Sequence, residues 1–550
     1  MTIRYFIILL TASFIVACSD IPVRFESEQP VYPVLTGKEY NPVLQIKAIK
    51  TGVDNYILEK VDISLAGTTQ PDQLESVSLF VGGKNGVFDS KKQFGETMPP
   101  SAGITFSGNL TVEVDTLVLW VSMKLKNSIN LTGRVNASCT NIRTNIGKVV
   151  VPQVVNKGLR VGVAVRQHME DNVHTYRIPF FATSRKGTLI AGYDVRRESS
   201  RDLQGDIDIG INRSFDGGNT WQPLQIAMDK GEWGGLSEKY NGISDACILV
   251  DQNSDDIYIA GLWMYGVIDG NGKWRKGLTK DSTVWNHQWR TKGSQPGFGV
   301  RETSQFLIAK SSDDGTTWSE LINLTEMCKK KEWWLWAPAP GNGIIMDDGT
   351  LVMPTQGRDK DGKPFSNITW SKDNGKTWTA SDAAAETPKG TTECAVVQLS
   401  DGSLMLNMRD NRNRSDESEN NGRTIAVTSD LGQTWTEHPT SRNALIEPTC
   451  MASLYKHNYT ENGEAKSILL FSNPNSKSMR DHMTIKVSFD DGKTWPKEHW
   501  ILLDKGKGRG YSSLTSVDEQ HVGILYEGSQ ADMIFQKVPL TELIHQNTTD

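Results

Sequence analysis

The chain has 550 residues, with 59 Lys plus Arg against 65 Asp plus Glu, a formal charge of −6. That balance excludes an extended polyanion-binding surface, which needs basic residues to release counterions, so no nucleic-acid partner is expected. The ordinary apolar content excludes a disordered or collagen-like chain, and no stretch after the first twenty residues reaches the ~20 apolar residues of a membrane-spanning helix.

Residues 1–17 read as a signal segment: Arg4 supplies a positive start and 5–16 is an apolar run too short to span a bilayer. It ends in Ile15-Val16-Ala17-Cys18, which is similar to the lipoprotein box, with Cys18 as the lipidated residue. Ser19 after it points to an exported envelope protein, in the outer membrane or the periplasm, that meets a membrane only through its anchor. The other cysteines, Cys139, Cys247, Cys328, Cys394 and Cys450, are scattered without CxxC or Cys/His spacing. Isolated buried thiols are expected, and no metal site.

Residues 18–155 share no repeat with the rest of the chain. Strand-like segments at 76–81 and 111–125, the latter apolar on both faces near Leu117-Val118-Leu119-Trp120, predict a β-sandwich. Trp120 is expected in its core; whether the domain binds carbohydrate or acts as a spacer stays open.

From 156 to 550 the chain repeats Ser/Thr-x-Asp-x-Gly-x-Thr-Trp, starting at Ser214, Ser311, Ser371, Thr428 and Ser488, at intervals of 97, 60, 57 and 60 residues. Such a period with strand-like flanks implies a radial β-repeat. Asp and Ser/Thr bond the N–H groups of a tight turn, Gly supplies positive φ, and Trp packs between sheets. Their acids do not match the calcium-loop pattern. Hairpins at 186–189, 348–351 and 401–404, with looser ones near 253–256, 461–463 and 518–519, alternate with the boxes and predict six blades. The last lacks a box, so a strand near 149–154 or 161–165 is expected to close the ring. The long interval implies an insertion around 265–301, containing Trp274, Trp285 and Trp289. The fold expected is all-β: a six-bladed β-propeller after an N-terminal sandwich.

Antiparallel geometry sorts residues by rim. Boxes join strands three and four, so they lie opposite the rim where strand one starts and strand two ends. Strand one is expected to start at Arg177, Asp245, the 336–340 segment, Glu393, Glu447 and Tyr511. Strand two is expected to end at Asp194, Trp263, Gln356, Arg409, Asn473 and Glu527; Asp194, Gln356 and Arg409 each stand seven residues after a hairpin glycine. Loops add Arg196, Arg197, Asp202 and Arg480. Arg177, Arg409 and Arg480 on one circle repel unless an anion lies between them, and guanidinium forks fit a carboxylate.

With Tyr176-Arg177-Ile178-Pro179, the five boxes and three ordered arginines, 161–540 resembles the bacterial sialidases (exo-α-neuraminidases). The resemblance implies that Arg177, Arg409 and Arg480 clamp the carboxylate of a terminal sialic acid. It implies Asp202 as acid/base, with Asp206 and Asp194 as rivals, Tyr511 as nucleophile, Glu393 as the group that activates it and Glu527 as support for Arg177. Arg196 and Asp245 are implied as further substrate contacts. A neutral phenol avoids the repulsion a carboxylate nucleophile meets from the sugar's own carboxylate, and with a pKa near 10 it needs a base. Asp202 must carry a proton, so burial is expected to raise its pKa. Cys394 has no placed His and reads as a packed residue. The resemblance implies a monomer acting on sialylated glycans without cofactor or metal. Transfer to another acceptor, intramolecular transfer and a non-catalytic sialic-acid lectin are the alternatives.

Overall fold

The computed structural model describes residues 22–545 apart from 54, 152–156, 204, 236, 265–293, 301 and 386–389. The signal segment, Cys18 and the three tryptophans of the blade-two insertion lie outside the described residues.

Two four-stranded antiparallel sheets form the N-terminal sandwich. One orders Val23–Glu28, Asn41–Lys50, Thr116–Leu125 and Leu74–Val81; the other orders Gly147–Val150, Ser138–Thr144, Tyr56–Ser64 and Gly103–Val112. Alternation along the strands places Ile46, Ala48, Val61, Ile63, Phe106 and Leu119 between the sheets. The expected strand at 111–125 is in fact two, because the chain turns at 113–115, where the Asp115 carbonyl accepts the Lys50 N–H at 2.9 Å. Trp120 is buried beneath a covering loop, its indole N–H donating to the Gly86 carbonyl at 2.9 Å.

Six radial sheets make up the rest of the fold. Blade 1 runs Thr175–Thr183, Leu189–Arg196, Ile207–Ser214 and Gln225–Met228; blade 2 begins Ile243–Val250, Ile257–Trp263 and Gln305–Ser311. Blade 3 centres on Leu351–Arg358 and Pro364–Ser371, blade 4 on Thr391–Gln398, Leu404–Asp410 and Thr424–Thr428, and blade 5 on Ser453–Glu461, Glu464–Pro474 and Met483–Ser488. Blade 6 takes Ser512–Asp518, His521–Tyr526 and Met533–Pro539 from the C-terminal end, and Leu159–Arg166 supplies its outer strand. Of the two segments expected to close the ring, 161–165 does so, while Val149 and Val150 belong to the sandwich. Pairing a strand from the start of the propeller region with three from its end ties the two ends of the ring together.

The sandwich is joined to that closing strand. Val34–Thr36 pairs with it in parallel and Arg134–Val135 antiparallel, while Glu542 accepts from Arg134 and Arg160, each at 2.5 Å. Its core runs on into Val163, Tyr176 and Phe535 of the propeller.

Each repeated motif closes a hairpin between strands three and four. At the first, Ser214 Oγ donates to Asp216 Oδ1 and accepts the Gly218 N–H, while both Asp216 oxygens accept from Thr220, through its N–H at 2.9 Å and its hydroxyl at 2.7 Å. The other four reproduce these bonds. Bonds from the motif threonine hold the Asp313, Asp373 and Asp430 carboxyls down at about 2. The five described cysteines are buried and free.

Lys486 is an exception to the apolar interior of blade 5. It is fully buried, its Nζ lies 4.6 Å from the Trp500 ring centre and finds no hydrogen-bond partner among the described residues, and burial lowers it to about 7. The unfolded chain keeps an ordinary lysine near 10.4, so between pH 7 and 10 it binds the extra proton and stability rises with pH. Below pH 7 the cost of burying the charge is fully present. Lys486→Met is therefore expected to stabilise the protein by on the order of 2 kcal/mol at pH 6, the gain shrinking toward pH 10. Denaturant midpoints across that range test this; a gain that does not vary with pH would refute it.

Candidate active site

The axial cavity of the propeller, about 1020 Å³, opens on the rim opposite the repeated motifs, none of which lines it. Strand one is bulged where it meets the cavity in three blades, its register shifting between Arg177 and Phe180, between Ser244 and Cys247, and between Thr391 and Cys394. Ile178 and Asp245 there hold φ of 59° and 56°, strained for a branched residue and uncommon for an aspartate. Bulges of this kind break the ladder and re-aim side chains, and Arg177, Asp245 and Glu393 all line the cavity. Pro179 falls inside the first bulge, where its missing N–H costs no ladder bond.

Arg177, Arg409 and Arg480 line the same cavity. Two of them have carboxylate partners. Glu527 Oε1 accepts Arg177 Nε at 2.5 Å and the Ile178 N–H at 2.9 Å, and its Oε2 accepts the Tyr511 N–H at 3.0 Å. Burial pushes Glu527 up, but Arg177 and these bonds outweigh it and hold it below the usual range. Glu393 Oε2 accepts Arg409 Nη1 at 2.6 Å. Among the described residues Arg480 donates only to carbonyls, of Arg509 at 2.9 Å and Thr449 at 3.1 Å. The repulsion expected of three convergent guanidiniums is thus partly offset by two glutamates, and Arg480 forms no ion pair with the described residues.

Tyr511, almost fully buried, sits between these groups. Its hydroxyl donates to Glu393 Oε1 in a short hydrogen bond and accepts Arg409 Nη1 at 3.1 Å. The Arg177 and Arg480 guanidiniums lie 5.7 and 5.5 Å from its ring centre. Burial first, then the Glu393 charge, push the phenol well above 10 against the pull of Arg409 and Arg480. The phenol is therefore protonated at rest and has a carboxylate placed to take its proton.

Among Asp194, Asp202 and Asp206, only Asp202 lines the cavity. Asp194 is buried and takes Arg196 Nη2 at 2.8 Å and the Ser244 hydroxyl at 2.6 Å; burial raises it to about 6. Asp206 lies 3.8 Å from Arg197. The expectation that Asp202 is raised on balance is overturned. Its side chain is 69% exposed and accepts Arg196 Nη1 at 2.6 Å. Partial burial raises it, but Arg196, then Arg177 and Arg480, prevail and hold it below the usual carboxylate range. Arg196 thus joins two aspartates and does not line the cavity. Asp245 does line it; burial and the negative charges of Glu393, Asp194 and Asp202 hold its carboxyl well above the usual range.

Glu447, expected on the same rim, is turned into the protein and paired with Arg423 at 2.7 Å. Asp194, Trp263 and Asn473 are buried off the cavity as well, whereas Gln356 lines it. Sequence reasoning missed Ser244 and the Thr449 carbonyl. No residue pattern announces a hydroxyl behind an aspartate or a carbonyl behind an arginine.

A family model described as BNR repeat-like domain matches residues 187–524, and one described as the N-terminal domain of BNR-repeat neuraminidase matches residues 23–148. A sialidase of Bacteroides fragilis (strain YCH46) is 37% identical over 540 residues, covering 93% of this chain and 94% of its own. A sialidase of Clostridium perfringens is 29% identical over 374 residues, covering 65% of this chain and 87% of its own. Among solved structures, Hadza microbial sialidase Hz136 aligns with a TM-score of 0.83 at 35% identity, covering 94% of this chain and 100% of that one.

Proposed function

The chain belongs to the bacterial sialidases, glycoside hydrolases acting on sialylated glycans, and from that premise we propose that it is a retaining exo-α-sialidase with Tyr511 as its nucleophile. The observation that carries this reading is the short hydrogen bond from the buried Tyr511 hydroxyl to Glu393, inside a ring of three arginines. The sugar carboxylate docks on Arg177, Arg409 and Arg480, presenting its anomeric carbon to the phenol. Glu393 takes the phenol proton as the oxygen bonds to that carbon, and Asp202 delivers a proton to the departing glycosidic oxygen. Asp202 then takes a proton from water, whose oxygen displaces the tyrosine, and Glu393 returns the phenol proton.

Asp202 has to be protonated for the first step, against the lowering by Arg196, Arg177 and Arg480. The substrate supplies the correction. Its carboxylate offsets the charge of Arg177 and Arg480, and the sugar excludes water from the exposed side of Asp202, so binding raises the pKa.

Hydrolysis of a sialoside to free sialic acid by the wild type tests the activity; bound but unhydrolysed sialoside would favour a lectin. The Asp202 role is tested with two leaving groups. Asp202→Ala is expected to lower kcat/KM on an alkyl or sugar-linked sialoside about 10²–10⁴-fold, the usual range for a general acid. An aryl sialoside, whose leaving group needs no proton, should lose far less in its first step. Equal losses on both would remove Asp202 from the acid role.

A further inference from the structure

We propose that the cavity contains a second anion-binding subsite, centred on Arg414 and Lys477, which takes an acidic group on the leaving part of the glycan, the carboxylate of an adjoining sialic acid or a sulfate ester. The inference rests on the sialidase reading and gives the enzyme a preference for glycans that carry a further negative charge.

Size is the first support. A cavity of about 1020 Å³ lies at the top of the ~300–1,000 Å³ typical of small-molecule sites, more than one sugar residue fills. Charge is the second. Outside the three-arginine clamp the lining from blades 4 and 5 includes Arg414 and Lys477, and among the described residues no carboxylate lines that stretch apart from Glu393, which Arg409 and Tyr511 occupy. This concentration stands in a chain whose net charge is −6.

The two central cations are available. Arg414, on the short helix Asn411–Ser415, is exposed and forms no ion pair with the described residues. Lys477 donates to the carbonyls of Ser418 at 2.6 Å and Glu417 at 3.1 Å, which accept hydrogen bonds but bring no charge. Asp416, whose carboxylate Lys477 helps to hold down, is bonded by Ser418 and lies 3.7 Å from Arg442. Because the clamp is taken by the carboxylate of the terminal residue, a second anion in the same cavity has to come from the sugars behind it.

The test compares kcat/KM on three substrates: a methylumbelliferyl sialoside with a neutral leaving group, a disialyl glycan, and a sialoside whose leaving sugar is sulfated. A charge-assisted hydrogen bond contributes ~1.5–3 kcal/mol, so Arg414→Gln/Lys477→Gln is expected to lose about tenfold or more on an acidic substrate and stay within about twofold on the neutral one. Loss on the disialyl glycan alone identifies a carboxylate, loss on the sulfated sialoside alone a sulfate, and either supports the subsite. The wild type's preference for the acidic substrate should also narrow as salt rises. Unchanged rates on both acidic substrates, or equal losses on all three, overturn it. Failure of the wild type to hydrolyse even the neutral sialoside would instead overturn the sialidase reading.

Discussion

Tyr511→Phe is expected to lower kcat on sialosides by about 10⁴-fold or more, the scale on which enzymes lose turnover when a nucleophile is removed. KM should change little, because the three arginines proposed to hold the sugar carboxylate keep their main partners, Arg409 losing only its 3.1 Å bond to the Tyr511 hydroxyl. Arg177 stays bonded to Glu527, Arg409 stays bonded to Glu393, and Arg480 stays on its two carbonyls. The phenylalanine ring still fills the space between the guanidiniums of Arg177 and Arg480. Only the hydroxyl is lost, and with it its bonds to Glu393 and to Arg409 Nη1. The unfolding temperature should move by no more than about 2 °C, since Glu393 keeps its arginine and is not left as an unpaired buried charge. Turnover of the variant within about tenfold of wild type would show that another group attacks the sugar.

Glu447→Ala is expected to destabilise the propeller by about 3–5 kcal/mol, the cost of leaving one partner of a buried ion pair alone. Both side chains of the pair are fully buried. Glu447 Oε1 also accepts the Asp410 N–H and Asn413 Nδ2, each at 2.7 Å, so removing it leaves the Asp410 N–H without that acceptor and Asn413 Nδ2 with the Gly422 carbonyl at 2.8 Å. Arg423 would keep Asn407 Oδ1 and the Cys450 carbonyl, both at 2.7 Å, but no counter-charge. Replacing both residues, as Arg423→Met/Glu447→Leu, should recover part of the loss, because the uncompensated charge is removed while the Asp410 N–H and the Cys450 carbonyl lose a partner. Denaturant midpoints with an unchanged slope measure this; a loss under about 1 kcal/mol for the single variant would contradict the burial argument.

The same pair bears on the clamp. Asp410 follows Arg409, and Cys450 follows Thr449, whose carbonyl holds Arg480. Glu447→Ala should therefore raise KM more than it lowers kcat, since binding of the carboxylate loosens while Tyr511 and Glu393 stay together.

The repeats explain why so much of the architecture is legible in one dimension. Ser214, Asp216, Gly218 and Thr220 satisfy one another within seven residues, so their chemistry is local and recurs at each blade. With these hairpins and the intervening turns in place, antiparallel pairing assigns residues to one rim or the other, and so groups Arg177, Glu393 and Arg409. Pairing misplaces Glu447, because register gives a residue's height on the blade and not the direction of its side chain. It misplaces Arg196 for the same reason: that side chain runs back to Asp194 and forward to Asp202.

From sequence alone, spacing determined the six-fold repeat, the opposed rims and the candidate set of arginines, acids and tyrosine, because turn bonding and strand pairing depend on neighbours along the chain. Tertiary structure alone decided which carboxylate meets which arginine, Glu527 with Arg177 and Glu393 with Arg409. It also decided that Leu159–Arg166 closes the ring, and that Asp202 is held down by Arg196 rather than raised by burial. Those outcomes depend on distances between side chains brought together by ring closure, Arg177 and Glu527 being 350 positions apart. The energy of a charge is set by what surrounds it in space, and only the folded chain specifies that.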